Sequence, residues 1–108
     1  MNLEVIGKDL NPSKMVKNRI ESKLAKLEKR LGQNLFVRVR LETVPNNQFA
    51  CAIHFQNAGH EYSANSTSND LIKAADETID KISRQVSKAQ HRPESFRKGA
   101  VSIRQASV

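Results

Sequence analysis

Between Asn34 and Glu42 apolar and polar residues alternate: Leu35, Val37, Val39 and Leu41 hold every second place, with Phe36, Arg38, Arg40 and Glu42 between them. A period of two sends neighbouring side chains to opposite faces, so the stretch predicts a strand with one buried face. The turn residues of "VPNNQ" interrupt it, and Phe49, Cys51, Ile53 and Phe55 then alternate with Ala50, Ala52 and His54. "QNAGH" offers a second turn and "HEYSANS" a short third strand, which makes a meander. Near the start, Leu3 and Val5 predict one further short strand, closed by Gly7.

Two stretches carry the other period. Over "NPSKMVKNRIESKLAKLEKRLG" the apolar row Val16, Ile20, Leu24, Leu27 and Leu31 steps by 4, 4, 3 and 4, the spacing of one helix face. Asn11 suits the N-cap, Pro12 the first helical position, and Gly32 the left-handed position after the last turn. "SND" supplies cap residues for a second helix from about Asn69 to His91, where Ile72, Ala75, Ile79, Ile82, Val86 and Ala89 recur at steps of 3 and 4. The element order is β-α-β-β-β-α. One-sided strands and one-striped helices cover each other in an α+β fold with both helices on one face of a four-stranded sheet. This domain is expected over residues 1–92. Beyond Arg92, Pro93, Gly99 and scattered Ser, Arg and Lys replace the periodicity, so 93–108 is expected to be a flexible basic tail.

Composition narrows the core and the compartment. Aromatic residues are only 5% of the 108 and tryptophan is absent, so the core must be aliphatic. The single Cys51 has no intramolecular partner and sits in the apolar run "FACAIHF", which predicts a small buried thiol and fits a reducing cytoplasm. No charged segment followed by an apolar stretch opens the chain, and no run of about 18 apolar residues occurs, so neither secretion nor membrane spanning is expected.

The net charge of +7 is unevenly placed. Residues 1–31 hold eight Lys and Arg against four Asp and Glu, residues 68–108 hold eight against five, and residues 32–67 hold two of each. The excess belongs to the two helical segments, as an anionic partner docking on one face requires. In the first helix Arg19, Lys23, Lys26 and Arg30 step by 4, 3 and 4 beside the apolar row, while Glu21 and Glu28 lie on the other flank. In the second, Lys81, Arg84, Lys88 and Arg92, with His91, fall on the side away from the apolar row, after Asp76, Glu77 and Asp80 in earlier turns. Acids early and bases late also complement a helix dipole, so this second row has a purely structural reading. Two basic rows on adjacent helices nevertheless make a patch or channel suited to phosphate. The expected RNA-binding set is Arg19, Lys23, Lys26, Arg30, Lys81, Arg84, Lys88, His91 and Arg92.

These segments resemble a known family. "SKLAKLEKR" at 22–30, the three-strand meander, and "DLIKAADETIDKISRQVSK" at 70–88 are similar to the ribosome hibernation promoting factor and protein Y family, also called ribosome-associated inhibitor A or sigma-54 modulation proteins, in its short form. The resemblance covers roughly residues 1–91. It implies a fold akin to double-stranded-RNA-binding domains and a protein that occupies the decoding channel of the small ribosomal subunit, contacts rRNA there, and blocks messenger and transfer RNA during stress or stationary phase. Family basic positions carry over to Lys23, Lys26, Lys81, Arg84 and Lys88. Where the family often has Tyr in a "D-x-Y-A-A" turn, this chain has Ile72. The acidic C-terminal end typical of the protein Y branch is not expected here.

No reaction is implied. His54, His60 and His91 lack Cys or carboxylate partners at metal-ligand spacing, no Gly-rich phosphate loop follows a strand, and Ser63, Ser66 and Ser68 have no nucleophile-elbow setting. No metal, cofactor or small-molecule substrate is expected. A second reading is a protein interaction module, such as a regulator of a transcription factor, that uses an outer strand face carrying Arg38, Arg40 and Glu42.

Overall fold

In the computed structural model the described residues are 1–32 and 34–97, with side chains described through Ala89. The elements run β1 (Asn2–Lys8), α1 (Lys14–Leu31), β2 (Phe36–Val44), β3 (Gln48–Asn57), β4 (His60–Ser68) and α2 (Leu71–Arg97). This is the expected order. The strands lie in the sheet as β1-β2-β3-β4. β1 pairs parallel to β2 and the remaining pairs are antiparallel, so α1 is the crossover of a β-α-β unit and β2 to β4 form the meander.

Register aligns the apolar positions across the sheet. Val5 lies opposite Val39, Val39 opposite Ile53, and Ile53 opposite Ala64. Val37, Val39, Leu41, Cys51, Ile53, Phe55 and Tyr62 are buried on the inner face, beneath Val16, Ile20, Leu24 and Leu27 of α1 and Ala75, Ile79, Ile82 and Val86 of α2. The rings of Phe55 and Tyr62 stack at 5.0 Å. Full burial of a Leu or Ile side chain contributes about 1.5–3 kcal/mol, so these rows supply the drive for both helices to cover the same face.

Local details differ from the sequence expectation in ways that geometry explains. Ser13, not Asn11, caps α1: its backbone is extended and its hydroxyl accepts from the Val16 N–H at 3.2 Å. An N-cap side chain accepts from the N–H two or three residues on, which Ser13 reaches at Val16 and Asn11 lies too early to reach, and Pro12 lies just outside the helix. Gly32 has the expected positive φ of 109°, but its ψ of 163° is not left-handed helical. Its N–H donates to the Glu28 carbonyl at 2.8 Å. β1 runs through Gly7 to Lys8. A Cβ at position 7 would collide with the Leu10 carbonyl oxygen and lie 2.7 Å from Pro12 Cδ, so glycine is required by the tight strand-to-helix connection. Asp70, from "SND", caps α2 by accepting from the Ile72 N–H at 2.9 Å.

The buried face of α2 is wider than its expected apolar row. Ala74 and Thr78 are fully buried beside Ala75 and Ile79, whereas Ile72 is half-buried. Thr78 Oγ1 lies 2.8 Å from the Ala74 carbonyl and 3.2 Å from that of Cys51, which lets a polar side chain enter the core. The helix also passes the boundary expected at residue 92 and continues through Pro93 to Arg97. Proline's fixed φ is itself helical, and what it forfeits is the bond from position 93 to the Ala89 carbonyl. The first residues of the expected tail are therefore helical, and 98–108 lie outside the described residues.

Two outcomes test this packing. Gly7→Ala should destabilise the fold by about 2 kcal/mol or more, read as a lowered denaturation midpoint, because the obstructing atom is backbone and cannot swing away. Cys51 is fully buried, and desolvation pushes its thiol up to about 11, partly offset by Thr78. Below that value the thiol stays protonated, so native protein near neutral pH should resist iodoacetamide and denatured protein should label at once; rapid labelling of native protein would contradict the burial.

Candidate nucleic-acid interface

The basic row of α1 stands about a quarter turn from the apolar row that anchors the helix to the sheet, so it is directed at the neighbouring helix. Arg19 meets Asp76 of α2 through two hydrogen bonds, Nε to Oδ1 at 3.3 Å and Nη2 to Oδ2 at 3.0 Å. Lys23 Nζ lies 3.3 Å from Asp76 Oδ1. In the last turn of α1, Arg30 Nη2 donates to Ser87 Oγ at 2.8 Å. Both the Arg19 and Arg30 contacts join residues 57 apart in sequence, so α1 and α2 run parallel and in step for at least three turns, about 16 Å.

Asp76 responds to this setting. The Arg19 hydrogen bond, helped by Lys23, holds its carboxyl below the usual range against some desolvation, and Arg19 is raised in return by the same hydrogen bond. The Arg19 and Lys23 side chains remain 48% and 36% exposed, so solvent screens the cluster and it adds little to stability.

The row on α2 divides. Lys81 turns away from α1 and donates from Nζ to the Asn65 carbonyl of β4 at 2.9 Å. One turn later Gln85 Nε2 donates to the Ser63 carbonyl at 2.6 Å. Residues two apart on a strand and four apart on a helix both advance about 6–7 Å, so these two side chains cover successive carbonyls of an edge strand. Arg84 and Lys88 are exposed, and so is Lys26 of α1; among the described residues these three make no hydrogen bond or ion pair. His91 and Arg92 belong to the backbone of α2, but their side chains lie outside the described residues.

The two rows thus do not merge into one uniform channel. The α1 row lines the cleft between the helices, Arg84 and Lys88 stand on the exposed side of α2, and Lys81 is turned to the edge of β4. Sequence reasoning missed Asp76 as the shared partner of Arg19 and Lys23. The available signal was the matching 4, 3, 4 spacing of Arg19, Lys23, Lys26 and Arg30 and of Asp76, Asp80, Ser83 and Ser87, 57 residues on.

The opposite face of the sheet is open. Arg38 Nε donates to Glu4 Oε1 at 2.9 Å, with its guanidinium carbon 6.0 Å from the centroid of the half-exposed Phe36 ring. His54 Nε2 approaches Glu61 Oε2 at 3.4 Å across β3 and β4. Charges of both signs are interleaved here. Among the described residues, no helix is long and apolar enough to cross a membrane.

Comparison with known proteins follows the fold closely. Residues 3–94 match the family model described as sigma 54 modulation protein / S30EA ribosomal protein. A ribosome-associated factor Y of Haemophilus influenzae is 32% identical over 97 residues, covering 90% of this chain and 90% of its own. The crystal structure of the Thermus thermophilus protein Y N-terminal domain superposes with a TM-score of 0.73 at 25% identity, covering 82% of this chain and 99% of that domain. A ribosomal subunit interface protein from Coxiella burnetii shares the fold, with a TM-score of 0.71 at 18% identity, over 83% of this chain and 98% of its own.

Proposed function

The chain belongs to the sigma 54 modulation protein / S30EA ribosomal protein family, and from that premise we propose that it is a ribosome-binding hibernation factor. It acts in the cytoplasm by occupying the decoding channel of the small subunit, where it excludes messenger and transfer RNA. Its action is steric and needs no catalysis. The observation that carries this reading is the sorting of charge: cations gather on the helical side of the sheet, and Lys26, Arg84 and Lys88 are exposed and unpaired among the described residues.

The physical basis is phosphate neutralisation. Lys and Arg donors replace counterions along an RNA backbone, and release of those ions makes affinity strongly salt-dependent. Arg84 supplies a planar fork of donors and Lys26 and Lys88 supply compact charges on long stems, a combination that accommodates irregular rRNA surfaces. Arg19, Lys23, Arg30 and Lys81 reach the same ligand only by sharing or exchanging the partners described above. His91 and Arg92 extend the set along α2.

Sedimentation through a sucrose gradient at low salt tests the proposal. The wild-type protein should travel with small subunits or whole ribosomes, and Arg84→Glu combined with Lys88→Glu should release it without lowering thermal stability, since no apolar contact changes. A site neutralising roughly six phosphates should lose about a thousandfold in affinity between about 50 and 200 mM salt. Arg38→Glu combined with Arg40→Glu, the same charge change on the outer strand face, is the control. Equal loss from that control would attribute binding to net charge and sink the assignment to the helices.

A further inference from the structure

The cleft between α1 and α2 is lined unequally. Its α1 wall is uniformly basic, with Arg19, Lys23, Lys26 and Arg30. Its α2 wall, in step 57 residues on, begins with Asp76 and Asp80 and ends with Ser83 and Ser87. Contacts fix both ends, Arg19 on the Asp76 carboxylate and Arg30 on the Ser87 hydroxyl. At one end two cations share an anion supplied by the protein itself. At the other, Arg30 donates to the Ser87 hydroxyl and Lys26 stands exposed.

We infer that Asp76 is a specificity-determining residue of the RNA interface: it occupies the Arg19 and Lys23 end of the cleft as an internal stand-in for phosphate. A phosphate-bearing strand consequently docks first beside Lys26, which is exposed and has no partner among the described residues. The inference rests on the reading that these rows bind RNA. Carboxylate and phosphate oxygens use the same Arg and Lys donors, so Asp76 and a ligand phosphate compete for them directly. Exposed pairs of this kind are weakly held and screened, so a ligand presenting closely spaced phosphates displaces the carboxylate. An isolated or poorly aligned phosphate does not. Asp76 thereby lowers affinity for generic polyanions more than for a fitted RNA surface.

A random-sequence RNA duplex of about twenty base pairs is the probe, titrated by fluorescence anisotropy from about 50 to 200 mM KCl. Asp76→Asn should bind about tenfold tighter than wild type at about 100 mM, with the log-log salt slope steeper by roughly one to two. Asp76→Ser, which removes the carboxylate through a smaller side chain, should reproduce the gain. Glu21→Gln changes net charge equally on the opposite flank of α1, and its effect should stay within about twofold because it frees no cleft cation. The inference is overturned if Asp76→Asn gains no more than Glu21→Gln, if it weakens binding, or if no variant binds. Sedimentation separates the two levels. Wild type that travels with ribosomes while Asp76→Asn shows no gain on duplex refutes the role of Asp76 alone. A gain on duplex by a protein that never travels with ribosomes supports Asp76 and refutes the ribosomal reading.

Discussion

Burial of one face of the sheet under two helices is the interaction on which everything else depends. The inner positions of β2 and β3 carry Val37, Val39, Leu41, Cys51, Ile53 and Phe55, all fully buried, and neither helix alone covers them. α1 crosses between two parallel strands and α2 packs on β3 and β4, so the helices must lie side by side on a shared floor. Once Val16, Ile20, Leu24 and Leu27 are seated on that floor, the row a quarter turn away has one direction left, toward α2. Where the cations go is therefore a consequence of where the methyl groups go.

Parallel helices add a field of their own. Both N-terminal ends, with their partial positive charge, lie at one end of the cleft, and both C-terminal ends at the other. Asp70 and Asp76 stand toward the first end; Lys29, Arg30 and Lys88 stand toward the second. The charges thus complement two aligned dipoles while also setting a gradient along the cleft. Helix stability and the charge pattern of the cleft draw on the same residues.

Much of this was legible in the chain because each signal was periodic. Alternation at Leu35 to Leu41 and at Phe49 to Phe55 marks strands whatever surrounds them, and the aliphatic row of α1 predicts its own burial. The lone Cys51 needed only its apolar neighbours. What escaped depends on contacts between distant segments. Ser13 and Asn11 are equally good caps by composition, and only the Val16 N–H distinguishes them. Thr78 reads as a polar interruption until the carbonyls of Ala74 and Cys51 are placed around it. Asp76 reads as one acid among several on an exposed helix; its role arises from a register between helices that no single-helix pattern encodes. Persistence of α2 through Pro93 likewise runs against local propensity.

The covering of β4 by Lys81 and Gln85 has a consequence for how this surface can change over time. Lys81 belongs to the basic row by sequence, yet its ammonium also closes part of a strand that is otherwise free to pair with another chain. A residue with two such duties is constrained twice: glutamine in its place keeps a donor for the edge but loses the charge. Lys26, Arg84 and Lys88, whose side chains carry no edge to guard, escape that double constraint.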